Sequence, residues 1–482
     1  MLTGSSNSVR IFYPRFSRDE VIRKFNVKII LIISLIFLSA MDSFGAWPDD
    51  PETGVPICTA DGVQEHPRIT TDGATGAIIV WQDMSSNSSD IYAQRIDARG
   101  QIRWAKDGVA ICLEQGDQWF PNLVSDGNGG AIIAWWDKRA GFTEMDIYAQ
   151  RVDGDGQILW KPGGIPVCNV PGAQQELDII SDGKGGAIIA WHDYRAKTDA
   201  PDIYIQRVNA KGETLWTKGG VAVVKTKGEQ VYPNIVGDGL GGAYVTWHDT
   251  RDDSGDVYVQ RVDVNGRILW QENGIPISKA QRNQLYPAIT SDGSGGVIIT
   301  WMDDRDGQDW DIYAQRINPE GKTLWQENGI PICTAKGDQY DYCILNHDKD
   351  NTFIVWRDQR SGEWDIYAQK IDSEGNVKWA KDGIPICNAN KDQYNPNIVT
   401  DGVNGVIVVW WDERDIVADI YAQRIDTNGK SLWIENGTAI CTAQGGQQDA
   451  YPVNSGIGSA IITWWDKRRV DADIYAQRVF SE

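Results

Sequence analysis

Histidine and positive charge are scarce. Only four His occur in 482 residues, and 46 Lys/Arg face 67 Asp/Glu, for a net charge of −21. So few imidazoles leave little material for a histidine-rich metal centre or for His-based proton transfer. The negative balance, with no basic patch to offset it, repels phosphate backbones and argues against nucleic acid as a partner. Long apolar runs are missing too. The run Ile29 to Ala40 has 12 residues, short of the roughly 20 that cross a bilayer, so no stable membrane insertion of the mature chain is expected. No nucleophile elbow, zinc motif or phosphate loop occurs.

What the chain does contain is repetition. The hexapeptide Asp-Ile-Tyr-Ala-Gln-Arg, or a close variant, begins at Asp90, Asp146, Asp202, Asp256, Asp311, Asp365, Asp419 and Asp473, at intervals of 54 to 56 residues. A fixed period of this size means one supersecondary unit copied and stacked, because a single copy cannot bury its apolar face. Each copy parses into four short strands. In the second copy these are Asn122 to Ser125, Ala131 to Trp136, Ile147 to Val152 and Ile158 to Cys168, separated by Gly-rich turns. Four antiparallel strands repeated eight times predict an all-β fold, an eight-bladed β-propeller. A β-solenoid is the alternative, but its coils lack three hairpin turns per repeat.

The chain ends predict how the ring closes. Residues 47–58 match the fourth-strand segment of the other repeats, whereas the last repeat stops after its third strand. Pairing the two completes the eighth blade and removes two exposed strand edges. Sixteen of the 22 Trp fall at two repeat positions, closing the second strand (as Trp135) or opening the fourth (as Trp160). They are assigned to packing between blades.

Residues 1–46 differ from the rest. Arg23, Lys24 and Lys28 precede the apolar run, and Ser43, Gly45 and Ala46 follow it, the pattern of a secretory signal peptide with a long n-region. An uncleaved anchor is the competing reading. Cleavage leaves one domain, residues 47–482, with a charge of −24 from 40 Lys/Arg and 64 Asp/Glu, in a secreted or periplasmic location. Six of the seven Cys (Cys58, Cys112, Cys168, Cys333, Cys387 and Cys441) hold one repeat position, filled by Val224 and Ser278 in the other two copies. Equivalent positions in a ring lie far apart, so these thiols read as small buried hydrophobes and not as disulfide partners. Cys343 falls outside the pattern.

The segment Pro287-Ala-Ile-Thr-Ser-Asp-Gly-Ser-Gly-Gly-Val-Ile-Ile-Thr-Trp-Met-Asp-Asp-Arg305, followed by Asp311-Ile312-Tyr313, resembles the blades of TolB-type propellers, the WD40-like repeats of bacterial periplasmic proteins. The resemblance covers all eight units, although these carry an extra Leu-Trp and Gly-Ile-Pro-Ile-Cys segment. It implies a secreted propeller that binds a protein or a ligand. The peptidase domain fused to some relatives is absent.

Two loop types are predicted on one face of the ring. One carries Gln, as in Gln118, Gln230, Gln284 and Gln393, followed by aromatics such as Trp119, Tyr232, Tyr286 and Tyr394; the other carries Trp-x-Asp-x-Arg. Repeated identity suits a scaffold, in which Asp pairs with Arg and Gln bonds loop backbone. The same groups could instead hold a polar ligand such as a glycan. Variation is the sharper guide. The middle position of Trp-x-Asp reads Gln82, Trp136, His192, His248, Met302, Arg357, Trp411 and Trp465, and Trp136, Trp411, Trp465, His192, His248 and Arg357 are candidate ligand contacts.

Because repeats fill the mature chain, the expectation is a binding or scaffolding propeller for a protein or glycan, without enzymatic activity or cofactor. A lectin-like propeller is one alternative, and a polysaccharide hydrolase or lyase using funnel carboxylates is another. The Asp-rich loops Asp303 to Asp311 and Asp249 to Asp256 suggest Ca²⁺ weakly, since no EF-hand spacing is present.

Overall fold

The computed structural model describes residues 47–480 apart from 49, 142–143, 197–199 and 253–254. The expected signal segment, residues 1–46, lies outside the described residues. The remainder forms eight four-stranded antiparallel sheets arranged as a ring, an eight-bladed β-propeller. In seven blades the strands, here A to D, follow chain order. The eighth is built from Gln447–Asn454, Ser459–Asp466, Asp473–Phe480 and, from the other end of the chain, Val55–Cys58. Val55 pairs with Ala476 and Cys58 with Ile474, so the ring closes by the strand exchange expected from the chain ends.

Burial follows from position in the blade. Strand B, for instance Ala131–Asp137, is buried at every residue, because both of its faces are covered by neighbouring sheets. Strand A is innermost and half-buried, as in Gln118–Ser125, since one side of it faces the axis. Strand D is shorter than expected. Its ladder covers only Ile165–Cys168, and Ile158 contributes one bridge to Val152.

The hexapeptide turns out to be a complete joint. In the second blade, Gln150 is fully buried; its Nε2 donates to Lys161 O at 2.8 Å, while its Oε1 accepts from Arg151 N and Trp160 N. Arg151 clamps Asp126 at 2.7 Å and reaches Ala210 O in the third blade at 3.0 Å. The indole of Trp160 donates to the same Ala210 carbonyl. Seven seams repeat this Trp bond, onto Ala98, Gly154, Ala210, Val264, Pro319, Ser373 and Thr427.

A second joint lies at the other end of the strands. The indole of Trp135, fully buried, donates to Asp137 at 2.8 Å, and Asp137 also takes two bonds from the Arg139 guanidinium. Arg139 covers the Tyr148 ring at 3.8 Å and donates to Cys112 of the preceding blade. Five of the six repeated thiols therefore face the next blade's Asp–Arg pair, and Cys58 faces Asp83, whose blade has Ser85 in place of the Arg. Burial pushes Cys58, Cys112, Cys168, Cys387 and Cys441 up to about 12, which suits packing and not reaction.

Candidate functional site

Strand A carries a bulge in every blade. In the second blade Trp119 pairs with Trp136 and Asn122 with Ala134, so Phe120 and Pro121 together face Trp135. Proline has no N–H to give the ladder, and the extra residue lets the strand pass it. Five blades carry Pro at this place: Pro67, Pro121, Pro233, Pro287 and Pro396.

The residue before that place has a left-handed backbone in all eight blades: His66, Phe120, Glu176, Tyr232, Tyr286, Asp341, Asn395 and Asp449, with φ between 46° and 54°. Such a conformation costs a non-glycine residue on the order of 1–3 kcal/mol. Glycine would relieve it, yet none of the eight is Gly. The eight side chains ring the axial mouth and several touch across seams. His66 lies 4.9 Å from Phe120 and 4.0 Å from Asp449, and Tyr232 lies 4.9 Å from Tyr286.

The mouth is most elaborated between the fifth and seventh blades. A cavity of about 450 Å³ is lined by Tyr286, Ala288, Met302, Tyr340, Asp341, Tyr342 and Arg357. Arg357 Nε sits 2.7 Å from Asp341, and the guanidinium also lies over Trp364 at 4.5 Å and Tyr394 at 5.3 Å. With its amide oriented by its hydrogen bonds, Asn395 donates to Asp341 at 2.9 Å and accepts from Trp411 Nε1 at 3.2 Å. Tyr394 stacks on Trp411 at 4.3 Å. Burial raises Asp341 above the usual carboxylate range and Arg357 draws it back. Burial alone raises Glu176.

The candidate contacts therefore divide. Arg357, Trp411, Tyr394 and Tyr286 come together around this cavity. Trp465 donates to Asp449 at 3.1 Å, which brings it to the mouth at the eighth blade. Trp136 and Trp119 pack beside Phe120 between the first and second blades. His192 is 5% exposed beneath the mouth, with Nε2 3.5 Å from Gln175, and burial lowers it to about 4. His248 sits in the neighbouring blade, likewise lowered by burial.

The glutamines are corrected. Gln118, Gln230, Gln284 and Gln393 are fully buried, and each amide N–H donates to the loop ahead of it, as Gln118 does to Gly116 O at 2.9 Å and Gln393 to Lys391 O at 2.8 Å. They sit in strand A and not in a loop, with no face left for a ligand. Sequence reading overlooked the bulge residues Glu176, Asp341, Asn395 and Asp449. A partial signal was available: they align with the place that precedes Pro in five blades, although of these four only Asn395 itself stands before one. Among the described residues no group of three or more His, Cys, Asp or Glu could hold a metal ion. Asp303 is engaged by Trp301 and Arg305, and Asp252 by Lys279. No described helix is long and apolar enough to cross a membrane.

No family model and no curated protein matches the chain. Solved structures do. They include an ulvan lyase, with 11% identity, a TM-score of 0.47, and coverage of 80% of this chain and 96% of that one. An endo-arabinase from Bacteroides thetaiotaomicron gives 12%, 0.31, 55% and 95%, and a protein of unknown function from Dyadobacter fermentans gives 10%, 0.41, 64% and 95%. Likeness at this level assigns the chain no activity. It still overturns one expectation. Absence of enzymatic activity was inferred because repeats leave no room for a catalytic domain, but most of these propellers are themselves lyases or glycoside hydrolases. The non-enzymatic expectation is withdrawn.

Proposed function

We propose that the protein is a polysaccharide-cleaving enzyme whose substrate lies across the axial mouth. One observation carries this reading: eight equivalent positions keep the same strained backbone while their side chains differ. A scaffold repeats what it needs. Here the backbone is repeated and the chemistry is not, and the set comprises three carboxylates, three aromatics, His66 and Asn395. Aromatic rings suit the apolar faces of sugars, and carboxyl groups supply the acid–base chemistry of glycoside cleavage.

Asp341 is the carboxylate built into the cavity, oriented by Arg357 and Asn395. Tyr286 and Tyr340 form walls for a sugar ring. Glu176, raised by burial with no cation drawing it back, suits a proton donor on the remaining arc, and Asp449 completes the set. A secreted or periplasmic location accompanies this reading, as the segment ahead of the ring and the TolB-like repeats both suggest.

The test is depolymerisation of a panel of neutral and uronate-containing polysaccharides, followed by new reducing ends and by ultraviolet absorbance. A lyase gives an absorbing unsaturated end and a hydrolase does not. Asp341→Asn is expected to lower the rate by about 10²–10⁴-fold. Activity that survives Asp341→Asn, Glu176→Gln and Asp449→Asn together would sink the proposal. So would a panel left intact by the wild type.

A further inference from the structure

We propose a second subsite on the opposite arc of the mouth, between the first and second blades, that takes a neutral sugar from the far end of a long glycan chain. It rests on the carbohydrate reading above. A cavity of about 420 Å³ opens there, between the Met84 to Ser89 loop and the bulge at Trp119 and Phe120. Four of the eight blades separate it from the cavity at Asp341, so the two lie across the axis from each other on one face.

Its floor is aromatic. Phe120 is 41% exposed, and its ring is fixed by His66 at 4.9 Å and Trp136 at 4.6 Å, with Trp119 at 6.5 Å. A ring held by neighbours and open to solvent offers area at little entropic cost, which suits the C–H face of a pyranose or furanose. The wall is made of hydroxyl and amide groups from Ser86, Asn87 and Ser88, with Asp117 beside them.

The wall exists because the first blade departs from the repeat. Ser85 stands where the other seven blades carry the Arg that folds back onto its Asp. Among the described residues no Lys or Arg lines this cavity, and Lys138, whose Nζ sits 3.4 Å over the Trp119 ring, is itself buried. With Asp117 in the lining and the neighbouring ammonium, that of Lys138, buried against Trp119, the subsite disfavours sulfated or uronic sugars. The cavity across the axis, which holds Arg357, differs from it in kind.

Calorimetric binding of linear arabino-, xylo-, manno- and gluco-oligosaccharides, from disaccharide to octasaccharide, tests this on the full chain. Affinity is expected to rise with length. Phe120→Ala, and separately Asn87→Ala on the loop, should weaken the long oligomers about ten-fold, or 1.4 kcal/mol, and leave the disaccharide unchanged. Phe120→Tyr should restore the long-chain affinity, and Tyr340→Ala should weaken every length. Equal weakening at all lengths by Phe120→Ala in a protein of unchanged melting temperature, or no weakening, overturns the subsite. A wild type that binds none of these neutral oligomers yet depolymerises an anionic polysaccharide overturns the subsite and leaves the cleavage proposal standing. Failure of both assays removes both.

Discussion

Deleting residues 47–58 should break the closed ring. The segment brings Trp47, Ile57 and Cys58 to 5%, 2% and 1% exposure, and it supplies the strand that covers Asp473–Phe480. A buried Trp removes about 150–250 Å² from water, worth roughly 4–6 kcal/mol at about 25 cal/mol per Å², and Ile57 adds about 1.5–3 kcal/mol. The 3.0 Å bond from Trp47 to Ala98 O contributes about 1 kcal/mol net. These are upper estimates, because an unfolded chain already buries part of its surface. Even so, the loss is comparable with a typical folding stability of about 5–15 kcal/mol, and it exposes a complete strand edge. Size-exclusion chromatography with light scattering is expected to show oligomers or aggregate in place of monomer, with a large fall in melting temperature. A deletion variant that stays monomeric with an unchanged melting temperature would refute the reasoning.

Breaking one Asp–Arg joint should be costly although it sits near a surface. Asp137 is fully buried and takes bonds from Trp135 and Arg139; Asp137→Asn is expected to lose about 3 kcal/mol in urea unfolding, whereas loss of the exposed Lys279–Asp252 pair should change little. Stability should also fall as pH rises. Burial, reinforced by a neighbouring carboxylate, raises Asp146, Asp311 and Asp419 to about 7, and burial raises Asp256, Asp365 and Asp473 to about 6. A raised carboxyl binds more protons in the folded state, so its contribution is complete below about pH 4 and is lost by about pH 7. The lowered His66, His192 and His248 oppose this but are fewer. The melting temperature is therefore expected to drop between about pH 5 and about pH 7.5, and a rise over that window would contradict the reading. Finally, the six repeat thiols should resist an aromatic disulfide reagent in the native protein and react together only on unfolding; rapid modification of Cys112 in the folded chain would show that the seams open.

Most of the fold was legible because it is periodic. Asp146-Ile-Tyr-Ala-Gln-Arg recurs once per blade, and the apolar run Ala131 to Trp136 reads as a strand covered on both faces. Closure was legible because the spare fourth strand and the incomplete last blade complement each other within the sequence. The site was less legible. Arg357 and Trp411 stand out where copies differ and Tyr286 and Tyr394 as aromatics after the repeated Gln, but Gln118 and its equivalents read as loop residues because the first strand is expected to begin only at Asn122. In the fold, the bulge carries strand A past the proline, which buries Gln118 and turns Phe120 toward the axis.

The sequence by itself determined the number of blades, the order of the strands and the means of closing the ring, because each is a matter of period and apolar pattern along the chain. Only the tertiary structure decided which residues share the mouth. Glu176, Asp341 and Asp449 lie in different copies, far apart in the chain, and each looks like an ordinary acidic residue beside its own neighbours. Bending eight sheets around one axis sets them in a single ring, and the bulge at the equivalent place in every strand A gives each the same backbone there.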